Sequence, residues 1–129
     1  MKIQSALVSL ATSDLARSKQ FYESLLGIFP AIVWSNKYVE FRLSGLRLGL
    51  YASTHPDFQA RLGATSICLQ VDDLDEALRA PFLSAVNVSS IREAGHGREI
   101  DFCDPDGNRV ILHQPSISFR QLLKWNELM

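Results

Sequence analysis

One pattern occurs twice in this chain, about 60 positions apart, and it restricts the possible folds more than any other feature. "LATSDL" opens at Leu10 and "LQVDDL" at Leu69, and in each an Asp (Asp14, Asp73) precedes a Leu. Near the end of each half a Gly leads into an apolar run: Gly45 before "LRLGLY" and Gly107 before "NRVILH". A repeat of this length implies two copies of one supersecondary unit.

Local patterning says what the unit contains. Alternation of Ala6, Val8 and Leu10 against Ser5, Leu7 and Ser9 predicts a strand from about Ile3 to Ala11. "TSDLARSKQFYESLLG" predicts a helix capped by Ser13 or Asp14 and ended by Gly27, with Leu15, Phe21, Tyr22, Leu25 and Leu26 as its apolar stripe. Strands follow at Ala31–Trp34, Lys37–Leu43 and Leu46–Ala52, with turns at "SNK" and "SG". The polar connector "STHPDFQARLG" has room for a helical turn or two, and then the order restarts. "TSICLQV" reads as a strand, and "DDLDEALRAPFLSA" as a helix capped by Asp72 or Asp73 and distorted or ended by Pro81. "VNVSSI", "REIDFC" and "NRVILHQ" read as strands. In the tail, Phe119, Leu122, Leu123 and Leu128 recur at helical spacing.

The expected class is therefore α+β: two tandem βαβββ modules plus a C-terminal helix in one domain. Module one covers 1–53, the connector 54–63, module two 64–115 and the tail helix 116–129. A length of 129 residues suits one domain with a core, and 47% hydrophobic with 21% charged residues argues against disorder. A formal net charge of −1 leaves no basic surplus to hold a phosphate backbone or an anionic membrane, so neither is an expected partner. The interrupted N-terminal apolar stretch is too short for a signal peptide or a membrane span. With Cys68 and Cys103 read as reduced structural thiols, a cytoplasmic location is expected.

"SDLARSKQFYESLLG" in the first half, with "VDDLDEA" and "DPDGNRVILHQP" in the second, resembles the vicinal oxygen chelate superfamily. That group includes glyoxalases, bleomycin resistance proteins, fosfomycin resistance enzymes and extradiol dioxygenases. The resemblance runs to about Pro115 and implies two modules whose sheets curl around a shared cleft, with helices outside and frequent homodimers. It places Val8, Leu10, Leu48, Leu50, Ile67, Leu69, Val71, Val110 and Leu112 toward the helices, together with Val39 and Phe41. Leu7, Ser9, Tyr38, Glu40, Arg42, Arg47, Gly49, Tyr51, Ser66, Cys68, Gln70, Glu99, Asp101, Arg109, Ile111 and His113 then face the cleft. "DPDGN" reads as a structural turn: Asp and Asn close it by side-chain hydrogen bonds, Pro presets φ and Gly takes a positive φ.

Metal-dependent members carry His, Gln or Glu on the first and last strand of each module. The motifs put those positions at Leu7, Gly49, Ser66 and Ile111. Two are hydrocarbon, one has no side chain and one is a neutral hydroxyl, so no metal or other cofactor is expected there. His55 and His96 read as loop residues, and a site built from the three histidines does not follow from their spacing. No nucleophile elbow, P-loop or dinucleotide fingerprint is present.

A small-molecule pocket remains, with Trp34, Tyr38, Glu40, Tyr51, Ser66, Cys68, Gln70, Ile111 and His113 as candidate ligand-binding residues. The leading expectation is a metal-independent, dimeric protein that binds or sequesters a planar or aromatic compound, a reading that leans away from catalysis and leaves it open. The alternative is a glyoxalase- or dioxygenase-like lyase, isomerase or oxygenase with displaced metal ligands, or with acid–base catalysis by Glu40, Asp101 or His113. A pure subunit-interaction role is the third.

Overall fold

The structure is a computed structural model. It describes residues 1–128, of Asn126 and Leu128 only the backbone. The chain divides into two compact units, Met1–Arg61 and the residues from Leu62 onward.

The first unit runs β1 (Val8–Ala11), α1 (Leu15–Leu26), β2 (Ile32–Trp34), β3 (Tyr38–Leu43) and β4 (Leu46–Tyr51). Its sheet has the order β1-β4-β3-β2, with β1 parallel to β4 and the other pairs antiparallel. The Asp14 carboxylate caps α1 by accepting from the Arg17 N–H, and Gly27 ends it at φ 67°, a conformation cheap only for glycine. The face α1 buries is Leu15, Ser18 and Tyr22, and the Tyr22 ring lies 6.4 Å from that of Phe41. Leu10, Val39, Phe41, Leu48 and Leu50 complete this core. Full burial stabilises each such side chain by about 1.5–3 kcal/mol.

The second unit repeats the plan with β5 (Ser66–Gln70), α2 (Leu74–Ala77), β6 (Arg92–Ala94), β7 (Gly97–Cys103) and β8 (Arg109–Pro115). Its order is β5-β8-β7-β6, again with the first and last strands parallel. Asp73 caps α2 through the Glu76 N–H. Pro81 opens a 3-10 turn over Pro81–Ala85 where a longer helix would otherwise run. Ile67, Leu74, Leu83, Ile100, Phe102, Val110 and Leu112 are buried. In the "DPDGN" turn one Asp104 oxygen accepts from the N–H groups of Asp106 and Asn108, and the other from the Asn108 amide. Gly107 stands there at φ 80°.

Three sequence expectations need correction. The first strand begins at Val8, not Ile3, because its ladder with β4 spans only Val8 to Ala11; Val8 itself remains 47% exposed. "VNVSSI" is not a strand: the Ser89 hydroxyl accepts from the Asp101 N–H, a side chain standing in for a ladder carbonyl, and the edge strand forms later at Arg92–Ala94. The tail is not one helix. α3 (Ile117–Leu123) ends at Lys124, which adopts φ 51°, and α4 (Trp125–Leu128) follows. Leu122 is 79% exposed, so the expected apolar stripe is not buried as a unit, and the Leu128 side chain lies outside the described residues. Among the described residues no helix is long and apolar enough to cross a membrane.

Candidate functional site

Strand alternation gives each sheet one face packed on its helix and one that is polar. In the first unit the polar face is fixed by the pairings Trp34–Tyr38, Tyr38–Tyr51, Glu40–Gly49 and Arg42–Arg47. Glu40 is only 1% exposed, yet it is charged. Arg47 donates to both of its oxygens (3.1 and 2.9 Å), Arg42 to one (3.0 Å) and the Tyr38 hydroxyl to the other (2.8 Å). Hydrogen bonding from Arg47, supported by Arg42 and Tyr38 against the opposing effect of burial, holds the carboxyl down at about 2. A carboxylate of that acidity is a weak base, so the arrangement suits Glu40 as an anchoring anion rather than a proton acceptor. Burial, and then the hydrogen bond it donates to the Glu40 carboxylate, push the Tyr38 phenol up, keeping it a donor.

Gly49 has a matching role. A β-carbon there would lie 2.6 Å from the Tyr38 hydroxyl oxygen, so the missing side chain is the space the Tyr38 ring fills. Beside it Trp34 is 62% exposed, with the Lys37 ammonium 5.5 Å from its ring centre, and Tyr51 is half-buried. The result is an accessible aromatic row, Trp34–Tyr38–Tyr51, beside a neutralised charge cluster.

In the second unit Ser66, Cys68, Gln70, Ile111 and His113 share a face with Glu99 and Asp101. Ser66, Cys68 and Gln70 are exposed and Ile111 is half-buried. Partial desolvation and the Glu99 carboxylate push the Cys68 thiol up, away from a thiolate nucleophile. Asp101 is bonded by Arg92 (2.5 Å) and by Arg109. Burial raises its carboxyl, but the two guanidiniums outweigh that and keep it below its usual range. Like Glu40, it is a paired anion.

His113 is not at an open strand end but 3% exposed. Its Nδ1 lies 3.2 Å from the Gln70 amide and its Nε2 3.2 Å from the His96 carbonyl oxygen. The His96 ring stacks on it at 5.0 Å, and Phe119 of α3 meets both rings edge-on at 6.2 and 5.9 Å. Burial, and then the neighbouring His96, push the His113 imidazole down. From the sequence His96 reads as a residue of a loop over the cleft, with nothing in the spacing to set it against His113. The β6–β7 turn brings it there, and only the register that sets Glu99 opposite His113 adds the carboxylate. His55 stands elsewhere, accepting from the Asp57 N–H at the start of a short 3-10 turn.

The four symmetric positions do not suit a metal ion. Leu7 and Ile111 are hydrocarbon, Ser66 offers a lone hydroxyl, and the space at Gly49 belongs to Tyr38.

The profile of the Glyoxalase/Bleomycin resistance protein/Dioxygenase superfamily matches residues 4–112. No curated protein matches the chain. Among solved structures, an antibiotic binding protein from Streptomyces sp. CB03234 is 26% identical with a TM-score of 0.66, over 90% of this chain and 99% of that one. A bleomycin resistance determinant encoded on the transposon Tn5 is 23% identical with a TM-score of 0.66, over 89% and 100%. The fosfomycin resistance protein FosX from Listeria monocytogenes, complexed with Mn(II) and sulfate ion, is 21% identical with a TM-score of 0.71, over 96% and 99%.

Proposed function

The chain belongs to the Glyoxalase/Bleomycin resistance protein/Dioxygenase superfamily, and from that premise we propose that it binds or sequesters a planar or aromatic small molecule, without using an ion at the family's four symmetric positions. The observation that carries this reading is the aromatic row Trp34–Tyr38–Tyr51, cross-strand neighbours on the polar face of the first sheet. Trp34 presents an accessible ring, and stacking on such a ring contributes about 0.5–1.5 kcal/mol beyond area burial. Within the second unit, Ser66, Cys68, Gln70 and Ile111 share the polar face of their own sheet, a set of sparse polar groups of the kind that orients a small molecule. Glu40 and His113 are too buried to stack against a planar organic ligand; Glu40 fixes Tyr38, and His113 fixes the Gln70 amide. The antibiotic-binding and bleomycin-resistance neighbours support the choice of ligand class. A homodimer is part of the proposal.

The test is calorimetric titration of the full chain with bleomycin and with a planar anthraquinone, before and after dialysis against a chelator. Saturable binding that survives chelation and weakens in Trp34→Ala supports the reading. No saturable binding of either compound, or binding that chelation abolishes, overturns it.

A second reading, catalysis with displaced metal ligands, is favoured by one observation: the clustering of His96, Glu99 and His113.

A further inference from the structure

Among the described residues a single group of three potential metal-ligating side chains comes together: His96, Glu99 and His113, whose ligand atoms all lie within 4.8 Å of one another. None of the three occupies a family ligand position. They converge because the β6–β7 turn carries His96 over β8, where His113 stands opposite Glu99.

We propose that His96, Glu99 and His113 form a binding site for a first-row divalent transition metal, best suited to Zn²⁺. Two imidazoles and one carboxylate are a common set for such ions, and they leave a position for water or an exogenous ligand. In a tetrahedral zinc site, ligand atoms bound at about 2.0–2.1 Å lie roughly 3.4 Å apart. His96 Nε2 and Glu99 Oε2 are already 3.7 Å apart. The His96 side chain is 47% exposed, so this edge of the site is open to an incoming ion.

The surroundings orient the ligands. Gln70 lies 3.2 Å from His113 Nδ1. In the metal-free chain His113 Nε2 faces the His96 carbonyl oxygen at 3.2 Å and so carries the ring proton, with the Gln70 amide nitrogen donating to Nδ1. Binding a metal at Nε2 displaces that proton and calls for the Gln70 amide to turn, so that its oxygen accepts from Nδ1–H as the outer partner of a ligating histidine. Arg92 bonds Glu99 Oε1 at 3.2 Å, which leaves Oε2 toward His96. Part of the Arg92 charge is engaged by Asp101. Phe119 of α3 meets both rings edge-on. Gly97 is required beneath them: a β-carbon there would lie 2.0 Å from the Gln114 carbonyl oxygen and 2.9 Å from His113 Nε2.

The site stands on the second unit alone, so its test is separate from that of ligand binding. The chelator-treated full chain is titrated with Co²⁺, followed by its visible d–d absorption, and Zn²⁺ is then used to displace it. Expected are one equivalent of Co²⁺ in a low-coordinate site, displacement by Zn²⁺, and a rise in Tm on adding Zn²⁺. Glu99→Gln and His96→Ala, both on partly exposed side chains, should each weaken binding at least about tenfold without changing the metal-free Tm. The proposal is overturned if no equivalent binds, or if both variants take up Co²⁺ like the parent chain.

Discussion

Tyr38 lies across Gly49 on the polar face of the first sheet, so close that a β-carbon at position 49 would sit 2.6 Å from the Tyr38 hydroxyl oxygen and 2.8 Å from its ring edge. Gly49→Ala must therefore push the ring aside and loosen its bond to Glu40. The expected cost is about 1–3 kcal/mol in chemical denaturation. In a Tyr38→Ala background most of that cost should vanish, giving a coupling of about 1 kcal/mol or more. Equal costs in both backgrounds would show that the two residues do not compete for this space.

Glu40 is a buried anion surrounded by donors, so removing its charge leaves Arg47 and Arg42 without their partner. Glu40→Gln should destabilise the chain by about 3 kcal/mol. Arg42→Ala should cost less, because that side chain is 57% exposed and solvent compensates it. The ranking is read from urea midpoints.

The same residue sets an acid limit. The Glu40 carboxyl stands at about 2 in the folded chain against an ordinary 4.5. The unfolded chain thus takes up this proton first as pH falls. The stabilisation is complete above about pH 4.5 and is lost as the pH falls toward 2. Asp101, also lowered, adds to the loss in the same direction. Urea midpoints in the parent should drop steeply across this window, and in Glu40→Gln they should drop less.

Asp104 closes its turn by accepting three hydrogen bonds, and it is 6% exposed. Asp104→Ala would leave the N–H groups of Asp106 and Asn108 without that partner, at a cost of about 2–4 kcal/mol. Asp104→Asn should cost less because it keeps one accepting oxygen. If Asp104→Ala melts like the parent, the turn does not depend on this carboxylate.

Trp34 offers the opposite profile. With 62% of its surface exposed, Trp34→Ala should change stability by no more than about 0.5 kcal/mol. Affinity for a planar aromatic ligand should fall about five- to tenfold if the ring stacks on it. Calorimetry and thermal melting together separate the two effects.

The sequence alone determined the repeated β-α-β-β-β order, narrowed the helix caps to Ser13 or Asp14 and to Asp72 or Asp73, and set the sheet faces of Val39, Phe41, Leu48 and Leu50 against Tyr38, Glu40, Arg47 and Gly49. These follow from periodicity and capping, which act within a few residues. It also showed that Leu7, Gly49, Ser66 and Ile111 bear no good metal ligand, since that is a matter of residue type. It did not show that Tyr38 fills the space above Gly49, that three donors besides burial govern Glu40, or that His96 stacks on His113 beside Glu99. The late start of β1, the edge strand at Arg92–Ala94 and the break at Lys124 were equally hidden. Apart from the break at Lys124, a left-handed helix C-cap, those features depend on cross-strand register and on where a hairpin closes, which join residues distant in the chain. Only the tertiary structure sets them, because which side chains meet across a sheet is decided by ladder pairing rather than by any local pattern.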